Sequence, residues 1–116
     1  EQVICRAWFT AAVAADEPIL APSLILSEVA AALSRGRGDA GMAKEAARLL
    51  ENSAVVQLAP LSLELASLAA TIAAEQRVRG ADAVYLALAQ QLGDTLITLD
   101  RQQLQRGVAV VTTRRP

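Results

Sequence analysis

Apolar residues recur along the chain at two spacings, one suited to helices and one to short buried strands. Val3, Ala7, Trp8, Ala11 and Ala12 fall near one face at i, i+4 spacing, which predicts a helix over roughly residues 2–15. Asp16-Glu17-Pro18 breaks it, and Ile19-Leu20-Ala21, bounded by prolines, reads as a brief buried strand. Pro22-Ser23 offers a helix start, so Leu24 to Arg35 is expected to be helical and to end at Gly36-Arg37-Gly38. Asp39 is the next N-cap candidate. It precedes a helix over about 41–51 with Ala43, Ala46, Ala47 and Leu50 at helical spacing, and Val55-Val56-Gln57-Leu58 reads as a second strand.

After Pro60, Ser62 caps a predicted helix of Leu63, Leu65, Leu68, Ala69 and Ile72 that runs to about Val78, and Gly80 punctuates. Asp82 then opens Ala83-Val84-Tyr85-Leu86-Ala87-Leu88-Ala89, seven residues without a charge, the mark of a helix covered on nearly all sides. Gly93 is a stop signal. Thr95 to Leu99 is read as a third strand ended by Asp100, and Val108 to Val111 as a fourth. The strands lack polar–apolar alternation and are separated by helices, so the expected fold is α/β: a short, mainly parallel sheet between helical layers. Ligands of such sheets bind at the carboxyl ends of the strands, where Asp100 stands.

At 116 residues the chain fits one domain, and its 53% hydrophobic, 3% aromatic composition requires a core of Ala, Leu, Val and Ile. No apolar run reaches the ~18 residues of a membrane span and no leader pattern opens the chain, so a soluble protein is expected. The single cysteine, Cys5, excludes an internal disulfide framework and multi-cysteine zinc sites, which suits a cytoplasmic setting. A net charge of −1 gives no whole-domain basic footprint, so any nucleic-acid contact is local. The absence of histidine removes Ser-His-Asp and Cys-His catalysis, metal-free histidine ribonucleases and His-ligated zinc. Hydrolysis by this chain falls to carboxylates, with or without a cation.

Three carboxylates stand out, each with an ordinary reading beside a functional one. Glu28 shares its helix face with Leu24, Ile25, Ala31 and Ala32, and is either a solvated Glu with Arg35 two turns on or a site acid. Asp82 is either an ordinary N-cap or a site acid at the head of the apolar helix. Asp100 either caps a short helix beginning Arg101-Gln102-Gln103-Leu104 or ends its strand in a site. Thr98 and Ser27 are weaker candidates. Together the acids suggest convergence, and grouped carboxylates need a neutralising cation such as Mg²⁺ or Mn²⁺, which prefers oxygen ligands. Such a site polarises a phosphate and acidifies a bound water.

Three blocks, Pro22-Ser23-Leu24-Ile25-Leu26-Ser27-Glu28-Val29, Arg79-Gly80-Ala81-Asp82-Ala83-Val84-Tyr85-Leu86-Ala87-Leu88-Ala89 and Leu96-Ile97-Thr98-Leu99-Asp100, resemble in order and spacing a VapC-type PIN domain. The resemblance covers nearly the whole chain. It implies a three-layer α/β/α domain and a Mg²⁺- or Mn²⁺-dependent endoribonuclease, the toxin of a toxin–antitoxin pair. Glu28, Asp82 and Asp100 match three of the family's acids, and Thr98 an accessory position that orients the site. The family also begins with a buried strand ending in an aspartate. Here the chain enters in the first helix, as a fragment or trimmed domain does, so residues 1–116 are expected to be an N-terminally shortened domain of reduced stability and activity.

The resemblance further implies a homodimer and a cognate antitoxin whose C-terminal segment crosses the acidic groove. RNA contacts are expected from Arg35 and Arg37, from Arg77 and Arg79, or from Arg101 and Arg106, each otherwise a solvated surface arginine. A phosphoacceptor receiver domain is disfavoured because it wants a late lysine, and the sole lysine, Lys44, lies in a mid-chain helix. The remaining alternative is a PIN-like binding module without catalysis, acting through an antitoxin, RNA or ribosomal partner; a divalent-metal titration separates the two.

Overall fold

Local signals set most helix ends. In the computed structural model, which describes residues 2–116, the elements are α1 (Gln2–Ala14), β1 (Ile19–Pro22), α2 (Ile25–Arg37), α3 (Ala40–Glu51), β2 (Val56–Ala59), α4 (Leu63–Gln76), α5 (Gly80–Leu92), β3 (Leu96–Ile97), α6 (Arg101–Arg106) and β4 (Thr113–Arg114). The Asp39 carboxylate accepts the Met42 N–H at 3.0 Å and the Ser62 hydroxyl accepts the Leu65 N–H at 3.1 Å, so both predicted caps start their helices. Gly38 and Gly93 end α2 and α5 in the left-handed region, at φ 65° and 63°, where a side chain is disfavoured. Helix α2 thus runs through Gly36 and stops later than expected. Gly80 is likewise the first residue of α5, not a break before it.

The strands are short because each finds a partner for only a few residues. Strand β1 pairs in parallel with β2, from Ile19 opposite Val56 to Pro22 opposite Ala59, and β3 pairs in parallel with β4, Leu96 opposite Thr113 and Ile97 opposite Arg114. The α/β class with parallel strands among helices holds, but among the described residues the sheet is two separate pairs. The third strand covers only Leu96–Ile97 of the expected 95–99. Strands β1 and β3 both line a cavity of about 760 Å³, with Trp8 and Phe9 of α1 and Leu88 and Ala89 of α5. Strand edges that meet no neighbour leave backbone donors and acceptors unspent.

The fourth strand lies elsewhere than its apolar run suggested. Val108 to Val111 is not extended: residues Gly107–Ala109 form a 3₁₀ turn, with the Val110 and Val111 N–H groups donating to the Gly107 carbonyl at 2.9 and 3.0 Å. Valines suit strands, but this segment must round a corner against the core, and Val108 is left 64% exposed. Pairing passes to Thr113–Arg114, where the chain next runs beside β3.

The core is the contact of α4 with α5. Leu65, Ala69 and Ile72 of α4 are buried with Val78 and with Ala83, Val84, Leu86, Ala87, Leu88 and Ala89 of α5. Helix α1, by contrast, buries Ala12 while Val3, Ile4, Phe9 and Val13 remain exposed. Among the described residues no helix is long and apolar enough to cross a membrane.

Gly107 is fixed by this core. A Cβ there would stand 2.6 Å from Leu86 Cδ2 and 3.1 Å from Thr113 Cγ2, and Leu86 is fully buried. Gly107→Ala is expected to lower stability by about 1–3 kcal/mol through overpacking, and Leu86→Ala by about 2–5 kcal/mol through the cavity left behind. Urea denaturation of the double variant should show a loss smaller than the sum; strict additivity would refute the contact.

Candidate active site

Helix α5 opens on Arg79, whose extended backbone (φ −63°, ψ 150°) turns the chain into the helix, with Ala83 N–H donating to the Arg79 carbonyl at 2.9 Å. Asp82 therefore lies within the first turn and does not cap it. Its carboxylate stays available while the positive end of the helix favours its charge. The Asp82 side chain is 16% exposed, and its Oδ2 accepts from Arg79 Nε at 2.8 Å.

Asp100 caps α6, and its second carboxylate oxygen meets Arg79. Its Oδ1 caps α6 by accepting the Gln103 N–H at 2.9 Å, while its Oδ2 accepts from Arg79 Nη2 at 3.1 Å. Thr98 holds the same turn: its hydroxyl accepts the Asp100 N–H at 3.0 Å and donates to Gln103 Oε1 at 2.6 Å. Gln103 Nε2 in turn donates to the Asp82 carbonyl at 3.3 Å. Gln103, at 6% exposure, is the one polar or charged residue buried among the described residues, and it links the two acid-bearing segments. The Asp-x-x-Gln spacing of a capping box was its signal in the sequence, although here the glutamine bridges outward.

Glu28 is partly exposed and makes no ion pair with Arg35. It is half-buried on α2, and its Oε1 accepts from the Tyr85 hydroxyl of α5 at 2.5 Å. Burial, the hydrogen bond to Glu28 and the negative charges of Glu28 and Asp82 all push the Tyr85 phenol well above its ordinary pKa. The Arg79 guanidinium is held in its charged form by its hydrogen bond to Asp82 and by the charges of Asp82, Asp100 and Glu28. Both groups sense one negative region. Arg35, Arg37 and Arg101 are exposed, whereas Arg79, also foreseen as an RNA contact, is engaged with the acids. Ser27 donates to the Leu24 carbonyl at 3.0 Å within its own helix turn.

A sequence profile of the PIN domain matches residues 3–109, nearly the whole chain and a span that includes Glu28, Asp82 and Asp100. The chain belongs to the PIN-domain family. No curated protein matches it. PIN domains are generally metal-dependent nucleases, and the donor set of this one is all oxygen, as hard divalent cations require. Asp82 and Asp100 offer carboxylate oxygens of that kind, and one guanidinium reaches both. Among the described residues no group of three or more acids, histidines or cysteines is gathered closely enough to hold a metal.

Tyr85 is the only tyrosine, so tyrosinate absorbance reports this group alone. Its ionisation midpoint is expected above the ordinary value of 10.0, and Glu28→Gln should lower it by removing the Glu28 charge, while burial and the Asp82 charge still raise it. Because the folded pKa is raised, the stability it contributes is fully present below about pH 10 and is lost as pH rises through the folded value. A midpoint unchanged by Glu28→Gln would contradict the contact.

Proposed function

We propose that this PIN domain is a Mg²⁺- or Mn²⁺-dependent endoribonuclease, and more narrowly the VapC-type toxin of a toxin–antitoxin pair. The observation that carries the reading is the convergence of Asp82 and Asp100 on a single cation at the start of α5, within a matched PIN domain. Asp82 and Asp100 would hold the metal, with Glu28 alongside. A bound ion would supply charge neutralisation of a phosphodiester and a more acidic water for attack on phosphorus. Thr98 and Gln103 keep Asp100 oriented toward the shared position, and Tyr85 keeps Glu28 turned to α5. Arg35, Arg37 and Arg101 offer exposed phosphate contacts.

The cavity between β1 and β3 supports a further part of this reading: a fifth, central strand ending in an aspartate, which the resemblance implies, would satisfy both free edges and bring a fourth acid. The test fuses a short apolar strand ending in Asp to the chain, beside a control ending in Asn. Both should raise the melting temperature, but only the Asp version should bind Mn²⁺ more tightly than the bare chain, which holds it weakly through Asp82 and Asp100, and cleave single-stranded RNA. In that version Asp82→Asn is expected to cut cleavage by at least about 100-fold with the fold intact. Cleavage persisting in EDTA would refute metal dependence, and absence of any Mn²⁺ binding would favour a noncatalytic binding module.

We also propose a cytoplasmic homodimer that binds an antitoxin, whose Arg or Lys would reach the acids in place of metal. Exposed Val3, Ile4, Phe9 and Val13 on α1 and Leu61 and Leu63 before and in α4 provide apolar surface for association. Light scattering is expected to give twice the chain mass at high micromolar concentration; a monomer throughout would exclude the dimer.

A further inference from the structure

The oxygens that Arg79 holds are the ones a divalent ion would need. Asp100 has committed Oδ1 to the α6 backbone, and its other oxygen, Oδ2, accepts from Arg79 Nη2. Asp82 turns its own Oδ2 to Arg79 Nε, and Glu28 adds attraction from α2. One guanidinium fork thus spans two carboxylates that lie 18 residues apart in sequence (100 − 82) and belong to different elements. Two cations cannot share these oxygens without direct repulsion. The Arg79 side chain is 70% exposed and its residue precedes α5, so it can swing away without opening the core.

We propose that Arg79 is the built-in counter-ion of the metal-free site, competing with a divalent cation for Asp82 and Asp100 and leaving when the metal enters. The proposal rests on the metal-dependent reading above and adds a competitor that sets the metal concentration at which the site fills. Arg79 does not take part in the hydrolysis in this arrangement. Its contribution is to keep the two acids together and neutralised until the ion arrives.

Mn²⁺ is the probe, titrated calorimetrically at low ionic strength into the full chain and its Arg79→Gln and Arg79→Lys variants, with circular dichroism confirming equal helix content. Arg79→Gln is expected to bind Mn²⁺ about 3- to 30-fold more tightly, the range set by two exposed ion pairs. Lysine keeps the charge but not the fork, so Arg79→Lys should fall between. Without metal, Arg79→Gln should melt lower than the parent, and saturating Mn²⁺ should raise its melting temperature by more. If the glutamine variant fails to fold, the lysine variant decides alone: tighter binding supports the proposal and equal or weaker binding overturns it. Equal or weaker binding by a folded Arg79→Gln, with the parent binding and Asp82→Asn abolishing it, overturns the competitor and leaves the metal site standing. No Mn²⁺ binding by the parent or any variant removes the metal reading and this proposal with it.

Discussion

Helix α5 has seven apolar residues in succession, Ala83 to Ala89, and the cost of leaving them in water governs the rest of the fold. Six of them are buried, each large aliphatic contributing about 1.5–3 kcal/mol on removal from water. Ala83, Ala87 and Ala89 keep the helix slim, so that α4 packs closely along it. The consequence reaches the acids directly. Asp82 stands in the first turn of α5, Tyr85 reaches from α5 to Glu28, and Gln103 anchors the α6 turn on the Asp82 carbonyl. A hydrophobic requirement in the middle of one helix thereby sets where three carboxylates lie.

Much of this architecture was legible because helix signals are local. Asp39, Ser62 and Gly93 each act within a turn of where they stand, and the spacing of apolar residues carries the helices between them. Strands depend on partners elsewhere in the chain, and there the reading weakened. Val108 to Val111 has the composition of a strand, yet Gly107 sits against Leu86 and the chain must turn, so Thr113 and Arg114 pair with β3 in its place. The same logic shortened β3 to Leu96–Ile97.

The site divides along the same line. Glu28, Asp82, Asp100 and Thr98 could be singled out because acids and hydroxyls at helix and strand ends are visible in sequence. Their partners could not, since Tyr85 lies 57 residues from Glu28, and Arg79 and Gln103 each bridge 21 residues to Asp100 and Asp82. In the sequence Arg79 reads as an RNA contact, because its fork suits phosphates, or as a solvated surface arginine; only the fold shows it turned to the acids. Asp82 lost its ordinary explanation once Arg79 became the N-cap, whereas Asp100 kept its own on one oxygen and left the other for the site.

Two independent groups register the field these acids create. Tyr85 holds its proton more tightly, first because it is half-buried and then because Glu28 and Asp82 are negative; Arg79 holds its proton more tightly through Asp82, Asp100 and Glu28. The first group approaches the acids from inside α5 and the second from solvent at the helix head, so the negative region extends across the site. Gathered carboxylates raise one another's energy unless positive charge or donated hydrogen bonds offset them. Here the phenol and the guanidinium supply that offset from within the chain. The phenol is fixed by packing, but the guanidinium is on a solvated stem, so its place can pass to another cation without rearranging the core. The demand for positive charge is therefore built into the fold, while the identity of the cation that meets it is exchangeable.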